Sequence, residues 1–524
     1  MVNISIQNGL IVDGDGKAAY PGTVLVEAGR IAAVVGPDES VEAEGVLDAR
    51  GQIVAPGFID MHTHSDISLL VDPAAQSALR QGITTQVTGL CGFSPAPVPE
   101  EGAAALRSVC SVIDYPRDWN WNCFPGYLAH LQDLSINIAP LAGHIPLRGL
   151  FVGYDDVSVD DDALRSMQGE LARMLDAGAW GLSLGLMFPP SMYAERRELT
   201  ALAQTTADHG GLLAVHIRSY GTEIAAAVNE VLEISAETEV ALEISHLRFS
   251  GANAALAPGI LAKLENAAQH RQTAFDIYPY TAGSANLSQL LPGWAQAGGS
   301  QAMQKRLSDP DVRRRAAVDM QAQLQSDYTR DFGSNVLLGS ASGDFQKCIG
   351  RSIAAIAEER RTDPYTAFFD ILTAEGTDAI MVAFTSTDDQ VRLSLDHPLS
   401  AIGSDGAAIA AEGPLSRGMP HPRYFGAYPR LLRMAREQNK PLEPLLHKMT
   451  ARPAALLGLP NRGRLVPGCA ADIVVFDPAA ITDRATFEQP HRYPEGISAV
   501  LVNGVVEWLA GEHQHAGPGL VLRR

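Results

Sequence analysis

The chain has 524 residues, of which 46% are hydrophobic and 19% are charged, a composition typical of a globular protein. Its formal net charge of −20 and its pI of about 5.1 argue against binding to nucleic acid or to an anionic membrane surface. An anionic small-molecule partner would need a local cluster of arginine side chains.

The N-terminal segment and the cysteines favour a cytoplasmic location. The opening residues, MVNISIQNGLIVDGDG, contain neither a basic segment nor a long apolar one, and the chain has no run of about 20 apolar residues. We therefore expect no signal peptide and no membrane span. The five cysteines are scattered along the chain, which argues against a disulfide framework.

Both ends of the chain have patterns typical of β-strands. Apolar and polar residues alternate in NISIQNGLIVDGDG and GTVLVEAGRIAAVVG, and strand-like runs recur near the other end in AADIVVFDP and ISAVLVNGVVEW. Because chain termini often lie close together, we predict that residues 1–54 and 450–524 pair into one small β-sandwich.

Residues 55–449 alternate between short apolar runs and helical segments. The runs are GFIDMH, TTQVTG, INIAPLAGH, WGLSLGL, GLLAVHI, ALEISH, TAFDIYP, AIMVAF and LSAIGSDG. This alternation predicts an α/β fold built from parallel βαβ units, a (β/α)8 barrel of the TIM type. Nine runs are one too many for eight strands, so we expect one late run to lie outside the barrel. A mostly helical insertion is predicted at about residues 285–332, where it could cover the mouth of an active site.

Metal-capable side chains close several of these runs. His62 and His64 end the first run, and they point to the same side because residues two apart on a strand do so. Other runs close on Cys91, His216, His246 and Asp405. Each of these residues alone could be structural. Active sites of barrel enzymes lie at the carboxyl ends of the strands, so the repeated placement predicts a metal site.

Longer motifs resemble a known family. The chain contains VAPGFIDMHTHSD, GLCGFSPAP, GLSLGLMFPP, ISHLRFSG, DIYPYTAGS, HPRYFGAYPR, KMTARPAALLGL and RGRLVPGCAADIVVFDP. Together they resemble the amidohydrolase superfamily and, within it, the D-aminoacylases, over nearly the whole chain. The resemblance implies a zinc-dependent barrel that hydrolyses N-acyl-D-amino acids to a carboxylate and a free D-amino acid by means of a metal-bound hydroxide.

The resemblance also implies two metal sites of unequal strength. The tight zinc site would use Cys91, His216 and His246, and the weaker site would use His62, His64 and Asp405. Many binuclear relatives bridge their metals with a carboxylated lysine, but this chain has no lysine between Lys17 and Lys263. We expect Cys91 to supply the bridge, because a thiolate is a strong zinc ligand. Three protein ligands also leave a fourth position open for water, as a catalytic zinc site requires.

Asp405 is the predicted general base and acid, which accepts a proton during attack on the amide and returns it to the departing amine. Its alternative role is that of a turn residue in the sequence SDG.

For substrate binding the resemblance points to Arg248, Tyr278, Ser284 and Arg423. Arg248 stands where relatives usually have lysine, and an arginine suits a substrate carboxylate. Arg248 and Arg423 could equally pair with acidic side chains of the protein.

Two other functions are compatible with the sequence. One is a cyclic-amide hydrolase of the dihydroorotase or hydantoinase type, against which the missing lysine and Cys91 both count. The other is a non-catalytic scaffold. Such a protein would be expected to have lost metal ligands, but all six are present.

The segments GHIPLR, around His144, and GAAIAAEGPLSRGMP, after Asp405, depart from the usual family pattern and leave the identity of the substrate's acyl group and amino-acid side chain open. For Met187, Phe188 and Tyr193 two interpretations stay open: they line a pocket for an apolar substrate side chain, or they are core residues. The sequence does not define an oligomeric state.

Overall fold

A computed structural model describes residues 2–37, 39, 41–99, 103–327 and 331–524. Its strands are β1 Val2–Ile11, β2 Tyr20–Glu27, β3 Arg30–Val35, β4 Ala43–Asp48, β5 Ile53–Pro56, β6 Phe58–Asp60, β7 Ile83–Thr88, β8 Asn137–Pro140, β9 Ala142–Gly143, β10 Gly181–Gly185, β11 Leu212–His216, β12 Ala241–Ile244, β13 Thr273–Ile277, β14 Ala282–Asn286, β15 Val336–Ser340, β16 Ile380–Phe384, β17 Ser400–Ile402, β18 Ile473–Phe476, β19 Ile497–Val502, β20 Val505–Leu509 and β21 Glu512–His513.

The helices lie mostly between the strands of the middle region. They are α1 Ser68–Val71, α2 Gln76–Leu79, α3 Ala103–Val109, α4 Phe124–His130, α5 His144–Phe151, α6 Asp161–Asp176, α7 Arg196–Asp208, α8 Ile224–Thr238, α9 Ala257–Ala268, α10 Gly293–Gln296, α11 Gly299–Leu307, α12 Pro310–Asp327, α13 Phe332–Asn335, α14 Ile353–Arg360, α15 Pro364–Glu375, α16 Asp388–Leu395, α17 Arg423–Glu437, α18 Glu443–Met449 and α19 Ala451–Leu457.

Parallel strands form the centre of the molecule and confirm the predicted α/β class. One sheet contains β6, β7 and β8, and a second runs in the order β17-β13-β12-β11-β10-β9. Only Leu141 separates β8 from β9, so the chain passes directly from one sheet to the other. At the other edge the Met61 N–H donates to the Ile402 carbonyl at 3.2 Å. Almost every residue of these strands is buried, because helices cover their outer faces.

Eight of the nine predicted runs contribute to these parallel sheets, and AIMVAF is the run that does not. It forms β16, which pairs antiparallel with β14 on one side and β15 on the other. The strands β14–β16 and the helices α10–α15 share a separate apolar core, which includes Leu287, Met303, Phe368 and Met381. The helical insertion predicted at about residues 285–332 coincides with the first half of this unit, which continues to Phe384.

Strands from the two ends of the chain meet in one nine-stranded sheet. Its order is β21-β20-β19-β18-β5-β1-β2-β3, and β4 also pairs with β1. The contact between the ends is the antiparallel pair β5–β18, in which Val54 faces Val475. Both of these valines are fully buried in a separate hydrophobic core that belongs to this sheet. Among the described residues, no helix has the length and apolar character needed to cross a membrane.

Candidate active site

The predicted metal ligands lie at the carboxyl ends of five parallel strands, where the chain turns sharply. Cys91, His246 and Asp405 have φ values of 53°, 35° and 51°, in the left-handed region that residues other than glycine rarely adopt. Such backbone strain is concentrated at functional sites, where the surrounding structure holds it in place. Here the turns direct a thiol, an imidazole and a carboxylate towards one another.

The thiol of Cys91 lies at the centre of a cluster of imidazoles. Its Sγ is 3.2 Å from Nε2 of His62, 3.5 Å from Nδ1 of His216 and 3.4 Å from Nε2 of His246. The ring nitrogens of His216 and His246 are 3.1 Å apart. The predicted tight-site ligands are therefore close enough to surround one ion.

Two sets of ligand atoms converge on Cys91. One set is Cys91, His216 and His246, and the other is Cys91, His62 and His64. Asp405 lies beside the second set, with its Oδ1 3.1 Å from Nε2 of His64 and 3.7 Å from Nε2 of His62. Cys91 thus occupies the position that a bridging ligand would take.

The chemistry of these donors fits zinc. Burial lowers the pKa of His216 to about 3 and that of His246 well below its ordinary value, so both imidazoles are in the neutral form that binds metal. Burial also raises the pKa of the Cys91 thiol to about 11, and a metal ion would reverse this shift by binding the thiolate. A thiolate and neutral imidazoles are preferred zinc ligands.

Two buried carboxyl groups, those of Asp276 and Glu243, are linked to this cluster by hydrogen bonds, and the sequence reasoning missed both. Oδ2 of Asp276 lies 2.8 Å from Nδ1 of His62, and Oε1 of Glu243 accepts from the Asp276 backbone N–H at 2.9 Å. Burial and the neighbouring Asp276 raise the pKa of Glu243 well above its ordinary value. The available signal was the presence of acidic residues inside the apolar runs TAFDIYP and ALEISH, since buried charges require partners.

Arg423 contacts Asp405 directly. Nη1 of Arg423 lies 2.7 Å from Oδ2 of Asp405, and both side chains are almost fully buried. Burial opposes ionisation of Asp405, but Arg423 and the neighbouring histidines together outweigh it and hold the pKa of this carboxyl well below its ordinary value. Arg423 also donates to the Ser284 carbonyl and lies over the ring of Tyr278. The structure therefore places Arg423 in the alternative contact that the sequence left open, a pair with an acidic side chain.

A cavity opens beside the metal-capable residues, and three of the four predicted substrate-binding residues, Arg248, Tyr278 and Ser284, line it. The guanidinium of Arg248 lies 4.6 Å from the centre of the Tyr278 ring and 3.4 Å from the Thr385 hydroxyl. Met187 and Phe188 also line the cavity, whereas Tyr193 and Arg423 are not among its lining residues.

His144 lies outside this cavity, in a buried network of charges. Its Nε2 is 2.8 Å from Oε1 of Glu198, which also accepts from Arg148. All three side chains are buried between α5 and α7. The departure of GHIPLR from the family pattern therefore concerns helix packing.

The fold and the site together define a class of protein. Parallel strands carry a zinc-type ligand set with a carboxylate beside it, and an arginine-bearing cavity adjoins them. The family model described as "Amidohydrolase family" matches residues 45–506. The chain belongs to this family and, within it, to the D-aminoacylase group.

Known relatives match along the whole chain. An N-acyl-D-glutamate deacylase from Alcaligenes xylosoxydans xylosoxydans is 34% identical over 100% of this chain and 97% of its own. A solved N-acyl-D-glutamate deacylase from Bordetella bronchiseptica, complexed with zinc and a phosphonate mimic of the tetrahedral intermediate, is 32% identical with a TM-score of 0.83. A D-aminoacylase structure, described as having one-metal activation and second-metal attenuation in a binuclear centre, is 30% identical with a TM-score of 0.84. Each of these two structural matches covers 100% of this chain and 100% of the other chain.

Proposed function

We propose that this protein is a zinc-dependent deacylase that hydrolyses N-acyl-D-amino acids to a carboxylate and a free D-amino acid. The observation that carries the proposal is the position of Cys91, whose thiol is shared by two sets of imidazoles within reach of one carboxylate. The names of the relatives supply the substrate class and its stereochemistry.

The architecture that we propose is a (β/α)8 barrel with a small β-sandwich formed from both chain ends. Support comes from the order of the parallel strands, which eight of the predicted runs form, and from the hydrogen bond between Met61 and Ile402 at the junction of the first and last of them. The corresponding domain boundaries are 1–54, 55–449 and 450–524, with an insertion that begins at about residue 285.

The metal centre has one tight site and one weaker site. Cys91, His216 and His246 would hold the tight zinc ion, and His62, His64 and Asp405 would form the weaker site next to it. Bound zinc supplies Lewis acidity, which activates water and polarises the amide carbonyl. The carboxylate of Asp276 fixes the orientation of His62 by accepting from its Nδ1, as outer partners of metal ligands commonly do.

Asp405 carries the proton in this reaction. Its carboxylate is ionised because Arg423 is paired with it, so it can accept a proton from the attacking water. The same proton then passes to the nitrogen of the departing amine as the acyl carbon–nitrogen bond breaks. Arg248 provides the charge for the substrate carboxylate, with the hydroxyl groups of Tyr278 and Ser284 beside it.

The two alternative functions fit less well. Hydantoinase structures share only 14–18% identity with this chain, and likeness at that level concerns the fold alone. A non-catalytic scaffold does not account for five converging thiol and imidazole ligands with the buried carboxylate of Asp405 beside them.

Metal analysis and a substrate panel test the proposal. We expect purified protein to contain zinc and to hydrolyse N-acetyl-D-amino acids, with much less activity on the L-enantiomers and on hydantoins. A chelator should abolish the activity and added zinc should restore it. Selective hydrolysis of hydantoins, or zinc-loaded protein inactive on every substrate, would refute the proposal.

A further inference from the structure

The cavity next to the metal-capable residues carries very little positive charge. Arg248 is the only lysine or arginine among the described residues that line it. The imidazoles of His64, His216 and His246 also face the cavity, but metal ligands must be neutral, so they provide no further cation. Arg423 lies behind the lining, paired with Asp405 at 2.7 Å. The cavity can therefore neutralise one carboxylate of a substrate.

Most of the remaining wall is apolar. It is formed by Phe93, Val112, Met187, Phe188, Ala285, Met381 and Ala383. Gln289 is the amide side chain among the lining residues, and its Nε2 lies 3.9 Å from the sulfur of Met187. An apolar side chain is stabilised on such a surface, whereas a carboxylate side chain would lose its hydration without gaining a cationic partner.

The cleft next to this cavity disfavours a second anion as well. Val112, Ser284 and Ala285 line both spaces, so the cavity continues into the cleft. The cleft contains three carboxyl groups, those of Asp114, Glu375 and Asp378, against the two guanidinium groups of Arg107 and Arg417. Arg107 is already bound to Asp114 at 3.1 Å. Part of the positive charge of the cleft is thus already neutralised by a carboxylate of the protein itself.

From this distribution of charge we propose that the enzyme acts on N-acyl-D-amino acids with neutral, apolar side chains, such as D-methionine or D-leucine, and discriminates against D-glutamate and D-aspartate. The inference rests on the proposed deacylase function and specifies its substrate. The α-carboxylate faces Arg248, and the side chain packs against Val112, Met187, Phe188 and Met381. The reaction itself is unchanged, since water is added across the acyl carbon–nitrogen bond. This preference differs from that of the 34% identical relative, whose name specifies D-glutamate.

A pair of nearly isosteric substrates tests the inference without any mutation. We would measure kcat/KM of the zinc-loaded enzyme for N-acetyl-D-methionine, N-acetyl-D-glutamine and N-acetyl-D-glutamate. Methionine should be the best substrate, and glutamine should exceed glutamate by about 10²–10³-fold, the range expected when a buried charge lacks a partner. A glutamate rate equal to or above the glutamine rate would overturn the inference and leave the deacylase function intact. No hydrolysis of any of the three would overturn the deacylase function.

A variant pair tests where the side chain lies. Val112 is half-buried at the junction of the cavity and the cleft, so a longer side chain can be accommodated there. Val112→Arg should raise the glutamate-to-glutamine ratio of kcat/KM at least about tenfold, because it supplies the missing cation. Val112→Met, which adds length without charge, should leave the ratio unchanged. An unchanged ratio in a folded Val112→Arg enzyme would overturn the placement of the side chain against this wall.

Discussion

Cys91 lies within 3.5 Å of three imidazole nitrogens, and its backbone adopts a left-handed conformation to reach them. The residue is therefore placed for ligation, and its side chain also packs in the main apolar core. Its pKa of about 11 shows that burial alone would keep the thiol protonated. The thiolate form thus depends on a metal ion.

Cys91→Ala should give a folded protein that is poor in zinc, because one ligand common to both sites is lost. Metal content would be measured by mass spectrometry of the purified protein, and folding by circular dichroism. Cys110→Ala provides the control, since Cys110 is equally buried but belongs to neither ligand set. Stoichiometric zinc and full activity in Cys91→Ala would show that the bridging assignment is wrong.

Asp405→Asn keeps the size of the side chain but cannot carry a proton. Turnover should fall by about 10²–10⁴-fold, the usual contribution of a positioned general base, while zinc in the tight site is retained. Thermal stability should be recorded too, because asparagine leaves the buried Arg423 without its counter-charge. Near-normal turnover would exclude Asp405 as the proton carrier.

Arg248 and Arg423 should respond differently when the substrate loses its carboxylate. A charge-assisted hydrogen bond is worth about 1.5–3 kcal/mol, so Arg248→Ala should cost about 10–100-fold in kcat/KM on N-acetyl-D-methionine and much less on its primary amide. Arg423→Ala should cost a similar factor on both substrates, because Arg423 acts on Asp405. A loss confined to the acid in Arg423→Ala would assign that residue to carboxylate binding instead.

At the scale of elements, the site depends on how closely β10 passes the turn after β7. A methyl group at Gly185 would overlap the carbonyl oxygen of Cys91, a backbone atom that cannot move without moving the thiol. Packing therefore requires a glycine at position 185 of the run WGLSLGL, because no larger residue fits against the Cys91 carbonyl.

Gly185→Ala should lower the free energy of unfolding by about 1–3 kcal/mol, the usual cost of overpacking, and should weaken zinc binding. The matched control is Gly259→Ala in α9, where an added methyl group meets nothing within 4 Å. That change should stabilise the protein by up to about 1 kcal/mol and leave zinc binding unchanged. Urea unfolding and chelator competition would measure the two effects, and equal behaviour of the two variants would contradict the packing argument.

At the scale of the whole molecule, the last residues of the chain pack against the amino-terminal ends of two parallel strands, β8 and β10. The Ile138 N–H donates to the Leu520 carbonyl at 2.9 Å, and the Leu522 carbonyl accepts from the Trp180 indole at 2.9 Å. Leu522 also donates its N–H to the Ile138 carbonyl at 2.7 Å. These contacts connect the C-terminal segment to the starts of β8 and β10, at the ends of the parallel strands away from the site.

Removal of residues 518–524 should lower the free energy of unfolding by about 2–6 kcal/mol, since several buried hydrogen bonds at about 0.5–1.5 kcal/mol each are lost. Turnover by the folded fraction should be nearly unchanged, because the segment lies at the ends of the strands away from the ligands. Leu520→Ser is the control, because the Leu520 side chain is exposed and its contacts with β8 are made by its backbone N–H and carbonyl. Unchanged urea stability of the truncated protein would show that the segment is not part of the fold.

The sequence by itself determined the α/β class and the identities of the metal-capable residues. Both follow from local patterns: alternation of apolar runs with helical segments identifies the strands, and a polar residue that ends such a run must lie at a strand end. The same reasoning found His62, Cys91 and Asp405 and predicted that one of nine runs would be surplus. It could not identify AIMVAF as that run, because a buried antiparallel strand has the same apolar pattern as a parallel one.

Only the tertiary structure decided which of these residues are partners. Arg423 faces Asp405, Cys91 is common to two ligand sets, and Asp276 supports His62. Each of these choices depends on the distance between side chains that belong to separate strands and loops, and His62 and Asp276 are 214 positions apart. Periodicity records which face of an element is buried, but it carries no information about what lies opposite that face. Pairing is set by the lateral order of the strands and by the turns at their ends, which exist only once the chain has folded.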